Sequence, residues 1–100
     1  MAKIKVIYDE IMAHMNKEGS GYQTCYVGIT SDIERRLFGE HNVPREDAWY
    51  IYRKADSEED ARALEEYILK THNTDGDVGG GNHESQYIYA YKKIKGTTKE

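Results

Sequence analysis

Between positions 26 and 41 the chain reads YVGITSDIERRLFGEH, which sets Tyr26 on a strand, Arg36 on a helix and His41 at that helix's end. A phenol, a permanent cation and an imidazole in one short unit suit phosphate chemistry. The cation meets charge growing on a phosphate, and the phenol and imidazole hold or move protons. A carboxylate further on draws the eye for a different reason. In the helix read over 57–70, Ala61, Leu64 and Ile68 define the apolar face. At about 100° per residue, Glu65 falls about 40° from the centre of that face and Glu66 about 140° away. A carboxylate on a core-facing stripe is costly unless a cation or hydrogen bonds compensate it. Glu65 is therefore either a site residue or a glutamate at the stripe's edge that snorkels to solvent or pairs with an arginine.

The elements that must position these groups follow from local pattern. Residues 22–29 read as a strand, with Cys25, Val27 and Ile29 on one face and Tyr26 and Gly28 on the other. Ser31 and Glu34 have the form of a capping box, so a helix is expected from Ser31. Its apolar stripe runs through Ile33 and Leu37, which puts Arg36 at the buried border and Arg35 towards water.

These residues resemble the GIY-YIG endonuclease family. Tyr26-Val27-Gly28 is similar to that family's second signature, YIG, and TSDIERRL to its arginine helix, with Arg36 at the catalytic arginine position. The stretch ARALEEYIL (61–69) is similar to the helix carrying the family's metal-binding glutamate, with Glu65 in register. His41 resembles a frequent histidine of the family, one residue further from Arg36 than in typical members. The resemblance implies that Glu65 binds a single Mg²⁺ or Mn²⁺, that Tyr26 orients or deprotonates the attacking water, and that Arg36 neutralises charge on the scissile phosphate.

One part of the family pattern is displaced. Its first signature, GIY, normally lies on a strand about ten residues before YIG. Here Ile4, Ile7, Tyr8, Ile11 and Met15 recur at helical spacing ahead of Gly19-Ser20-Gly21, so residues 4–17 read as an amphipathic helix, with a strand over KIKVIY as the alternative. Residues 48–53, AWYIYR, read as a strand, Ser57 as the cap of the next helix, and residues 86–93, QYIYAYKK, as a strand with Tyr87, Tyr89 and Tyr91 on one face. The C-terminal strand is expected to pair antiparallel with residues 22–29, setting Tyr87 or Tyr89 in the space of the family's first tyrosine. Alternatively, the tyrosines only pack the sheet face.

Composition bounds the rest. One hundred residues make a single domain, read as 1–95 with a fraying tail over 96–100. No apolar run approaches the ~20 residues that cross a bilayer, and the start lacks the pattern of a signal peptide. With one cysteine, read as core packing, a reducing cytoplasm is expected. Eighteen acids against fourteen bases give a net charge of −4. Any DNA binding must then be weak, salt-sensitive and carried by local groups such as Arg35, Arg36, Arg45, Arg53, Lys54, Lys92, Lys93 and Lys95, unless these are only solvated surface.

Residues 71–85 read as a long loop. Asn73, Asp75, Asp77 and Glu84 partly match an EF-hand, but Val78 stands where that loop needs glycine. Gly79-Gly80-Gly81 lacks the Lys-Ser/Thr of a phosphate-cradling loop. His14, His72 and His83 show no paired zinc spacing, and Trp49 reads as a core or sheet-face anchor. The expected fold is α+β, a small three-stranded antiparallel sheet flanked by about three helices. The expected function is a GIY-YIG-like, metal-dependent DNA endonuclease with Tyr26, Arg36, His41, Glu65, Tyr87 and Tyr89 as site residues. The alternative is a diverged nucleic-acid-binding or protein-interaction module.

Overall fold

The computed structural model describes residues 4–19, 24–44, 48–72, 74–76 and 86–93. The fold is α+β. Three antiparallel strands, β1 (Cys25–Thr30), β2 (Tyr50–Lys54) and β4 (Tyr87–Lys92), form the sheet, and a two-residue strand β3 (Asp75–Gly76) adds a parallel edge, in the order β2-β4-β1-β3. The helices are α1 (Ile4–Glu18), a π-helix (Glu34–Glu40) and α2 (Glu58–Thr71). Among the described residues, no helix is long and apolar enough to cross a membrane.

Alternation along the strands sends the two sheet faces to different partners. Cys25, Val27, Ile29, Ile51, Ile88 and Ala90 face α1 and α2, where Ile7, Ile11, Met15, Ala61, Leu64 and Ile68 close the main core. Full burial of each aliphatic side chain contributes about 1.5–3 kcal/mol. The opposite face carries Tyr26, Tyr89 and Tyr91, roofed by Ile33 and Leu37 of the segment that follows β1 and by Val43. The aromatic face is thus a second core rather than a bare surface.

The caps follow sequence in two helices of the three. The Ser57 side chain accepts the Asp60 backbone N–H at 3.1 Å and starts α2, as the sequence suggests. Gly19 ends α1 at φ +86°, its N–H bonding the Met15 carbonyl at 3.3 Å. The helix after β1 differs from expectation. Asp32, rather than a Ser31–Glu34 box, accepts the Arg35 N–H at 3.2 Å, and the Thr30 hydroxyl holds the Asp32 N–H at 3.0 Å. The winding is also wide: the His41 N–H bonds the Arg36 carbonyl at 2.9 Å, an i→i−5 contact. Asn42, in the left-handed region at φ 58°, then turns the chain away.

The segment read as a loop over 71–85 is strand at Asp75–Gly76, whose backbone pairs with Tyr26 and Val27. A Cβ on Gly76 would come within 2.7 Å of the Val27 carbonyl oxygen, so this edge needs glycine for space. The calcium-like positions Asn73, Asp77 and Glu84, the glycine run 79–81, and Tyr22, Arg45, His83, Lys95 and the tail over 96–100 lie outside the described residues.

Trp49 anchors α1, donating from Nε1 to the His14 carbonyl at 2.8 Å while its ring stacks on the imidazole at 4.5 Å. The His14 Nε2 atom is buried with no hydrogen-bond partner among the described residues. Desolvation lowers the His14 pKa below its ordinary 6.5, reinforced by the charges of Arg53 and Lys17 and opposed by a hydrogen bond that the imidazole donates to the Tyr50 backbone. The unfolded chain takes up a proton near the ordinary value while the folded imidazole resists. The stabilisation is therefore present above 6.5 and is lost as pH falls below it. Between about pH 7 and about pH 5, thermal unfolding of His14→Gln is expected to fall less steeply than that of the parent protein. Parallel curves would remove His14 from the pH response.

Candidate active site

The register of β1 against β4 decides which tyrosines meet. Tyr26 stands opposite Tyr91, Gly28 opposite Tyr89 and Thr30 opposite Tyr87. All three pairs lie on the face that receives the π-helix. Because Gly28 has no side chain, the Tyr89 ring occupies the space in front of it: a Cβ there would sit 2.5 Å from the Tyr89 hydroxyl oxygen.

That hydroxyl is the meeting point of the site. Arg36 Nε donates to it at 3.3 Å, and His41 Nε2 lies 2.7 Å from it. On the far side of the imidazole, Nδ1 lies 3.1 Å from the Tyr91 hydroxyl. A guanidinium can only donate, so the Tyr89 oxygen accepts from Arg36, and either its proton or its second lone pair meets His41 Nε2 according to the imidazole tautomer. With the imidazole proton on Nδ1, Tyr89 donates to Nε2 and Nδ1 donates to Tyr91, a chain of hydrogen bonds Arg36→Tyr89→His41→Tyr91. Tyr26 packs along it, its ring 4.7 Å from His41 and 5.4 Å from Tyr91.

Burial makes these contacts consequential. His41 is wholly enclosed, and Tyr26, Glu65, Tyr89 and Tyr91 are 3% exposed or less. Burial raises the Tyr89 pKa well above the ordinary phenol value, against the lowering effect of Arg36, and the charge of Glu65 reinforces the rise. Glu65 is therefore near enough, from α2, to act electrostatically on the same phenol. Desolvation works to lower the Arg36 pKa, but hydrogen bonds to Glu40 and Tyr89 outweigh it and hold the guanidinium charged above its ordinary range. Its side chain keeps 27% exposure, against 64% for Arg35.

Of the residues singled out from sequence, Tyr26, Arg36, His41 and Tyr89 are in one cluster and Glu65 lies within electrostatic reach of it. Tyr87 stands one register pair away, with Lys54 Nζ 5.9 Å from its ring centroid. Sequence reasoning placed Tyr91 on this face but counted neither it nor Glu40 among the site residues. The first was signalled by period-2 alternation with Tyr89, the second by its place four residues after Arg36, where the two form a 2.7 Å ion pair. Arg53 pairs instead with Glu10 on the surface at 3.2 Å.

Among the described residues, no three His, Cys, Asp or Glu side chains are grouped to hold a metal ion. A single carboxylate such as Glu65 suits Mg²⁺, which keeps several waters and takes its other ligands from substrate phosphates. No family model, curated protein or solved structure gives a significant match to this chain.

Proposed function

We propose that this protein is a GIY-YIG-like DNA endonuclease that hydrolyses a phosphodiester bond with one divalent cation. The observation that carries the reading is the Tyr89 hydroxyl, held between Arg36 and His41 on a strand antiparallel to the YVG strand. On this reading the C-terminal strand takes the part of the family's GIY strand, a permuted order of the same strand pair. The wide winding of the helix supports the match at His41. A residue inserted between arginine and histidine is what i→i−5 bonding absorbs, and His41 returns to the turn above Arg36.

Glu65 would hold Mg²⁺ or Mn²⁺, which as a Lewis acid polarises the scissile phosphate and stabilises the leaving oxygen. Tyr89, its pKa raised, is a poor base alone, but it passes its proton to His41 Nε2 while accepting one from the attacking water. Tyr26 orients that water, and Arg36 meets charge developing on the phosphate. Glu40 competes with phosphate for Arg36. The buried thiol of Cys25 suits a reducing cytoplasm.

Relaxation of supercoiled plasmid tests this. Nicking should require Mg²⁺ or Mn²⁺ and stop with EDTA. Arg36→Ala should cut the rate by about 10²-fold or more, the scale of losing one fixed charge-stabilising donor. DNA affinity should fall steeply with salt, be weakened more by Arg36→Ala than by Arg35→Ala, and rise in Glu40→Gln. Nicking that persists in EDTA, or in Arg36→Ala, would end this reading. The enclosure of the cluster favours a second one, the same fold as a binding module without chemistry, for which DNA is bound but never cut.

A further inference from the structure

Next to the enclosed cluster, the same sheet face reaches the surface. Tyr52 stands opposite Tyr89 across β2 and β4, and Lys54 stands opposite Tyr87. Tyr52 is 40% exposed. Tyr87 is half-buried and Lys54 exposed, with the ammonium group 5.9 Å from the Tyr87 ring centroid. A cavity of about 300 Å³, lined by Lys54, Ala55, Asp56 and Gln86, opens at this end. The exposed ring of Tyr52, the half-buried ring of Tyr87 and a cation thus lie within one register step of Tyr89, on the side away from α1 and α2.

Deepening the phosphodiesterase reading, we infer that the nucleic acid this face takes is single-stranded, with unpaired bases stacking on Tyr52 and Tyr87 and a backbone phosphate meeting Lys54. Charge favours this over a duplex. Duplex binding depends on neutralising many phosphates, and the net charge of −4 works against it. A single strand needs cations as well, but base–aromatic stacking adds affinity that a duplex cannot draw on, and every base offers a π-face to exposed rings. Lys54 supplies the local cation that guides the backbone. A duplex hides its base faces from such rings, and a strand with unpaired bases does not.

The test uses the full chain carrying Glu65→Gln, in EDTA, so that cleavage cannot interfere. Binding of an oligothymidylate of about a dozen nucleotides is compared with that of the matching duplex. The single strand should bind more tightly. Tyr52→Ala and Tyr87→Ala should each weaken it between about 5- and 150-fold, the range of one lost base stack. Tyr52→Phe should restore binding, and Tyr67→Ala, an exposed ring on α2, should leave it unchanged. Equal affinity for duplex and single strand, no binding of either, or binding indifferent to both tyrosines overturns the inference. So does self-association of the parent chain in sedimentation that Tyr52→Ala or Tyr87→Ala abolishes while DNA binding is kept, which would make the face a contact between copies of this chain. Tyrosine-dependent binding of the single strand with no cutting by the parent protein in Mg²⁺ leaves the inference standing and removes the nuclease. Metal-dependent nicking of duplex without tyrosine dependence does the reverse.

Discussion

Glu65→Gln is expected to lower metal-dependent nicking by about 10²-fold or more while leaving the unfolding temperature at or above that of the parent protein. The amide keeps the shape of the side chain and removes the charge that would hold the cation. Glu65 is 1% exposed on the core-facing side of α2, a place where a carboxylate opposes stability through desolvation. A carboxylate kept there only as a structural partner would show the other pattern, with activity held and the unfolding temperature lowered. Glu66→Gln, on the half-buried next position, should keep nicking within about two-fold of the parent, as a substitution away from the site does. Equal activity in the two variants would take Glu65 out of the chemistry.

Gly28→Ala should be strongly damaging for the addition of a single methyl. Its Cβ would lie 2.5 Å from the Tyr89 hydroxyl oxygen and 2.7 Å from the ring carbon that bears it, distances that no ordinary packing allows. Tyr89 is 1% exposed and fixed by Arg36 and His41, so its ring has little room to retreat. Overpacking of this kind costs about 1–3 kcal/mol, and each kcal/mol lowers the unfolding temperature of a domain this size by roughly 4–8 °C. Nicking should fall as well, because moving the hydroxyl breaks its hydrogen bond to His41. The cost belongs to a pair of residues, so a double-mutant cycle with Tyr89→Ala should be strongly non-additive, with the double variant more stable than the sum predicts. Additive losses would mean that Gly28 is needed for some reason other than the Tyr89 ring.

The sequence alone determined what depends on local period. The placing of Glu65 rather than Glu66 on the buried stripe of α2 follows from helical geometry, and the Ser57 cap follows from side-chain chemistry three residues long. The alternation of Tyr87, Tyr89 and Tyr91 against Ile88 and Ala90 likewise needs only the pleat of a strand. The greater exposure of Arg35 than Arg36 came from the same arithmetic. Tertiary structure decided the matters in which distant segments compete. Period 2 puts Tyr87 and Tyr89 on one face equally well; only the register against β1 sets Tyr89, rather than Tyr87, before Gly28. The placing of β4 between β1 and β2, and the parallel edge at Asp75–Gly76, are non-local pairings that no single segment encodes. The wide turn that brings the His41 N–H to the Arg36 carbonyl was equally invisible, because an α-helical pattern and an i→i−5 one share the same apolar stripe over so short a length. There His41 is wholly buried with a tyrosine on either side, and those long-range hydrogen bonds fix its place.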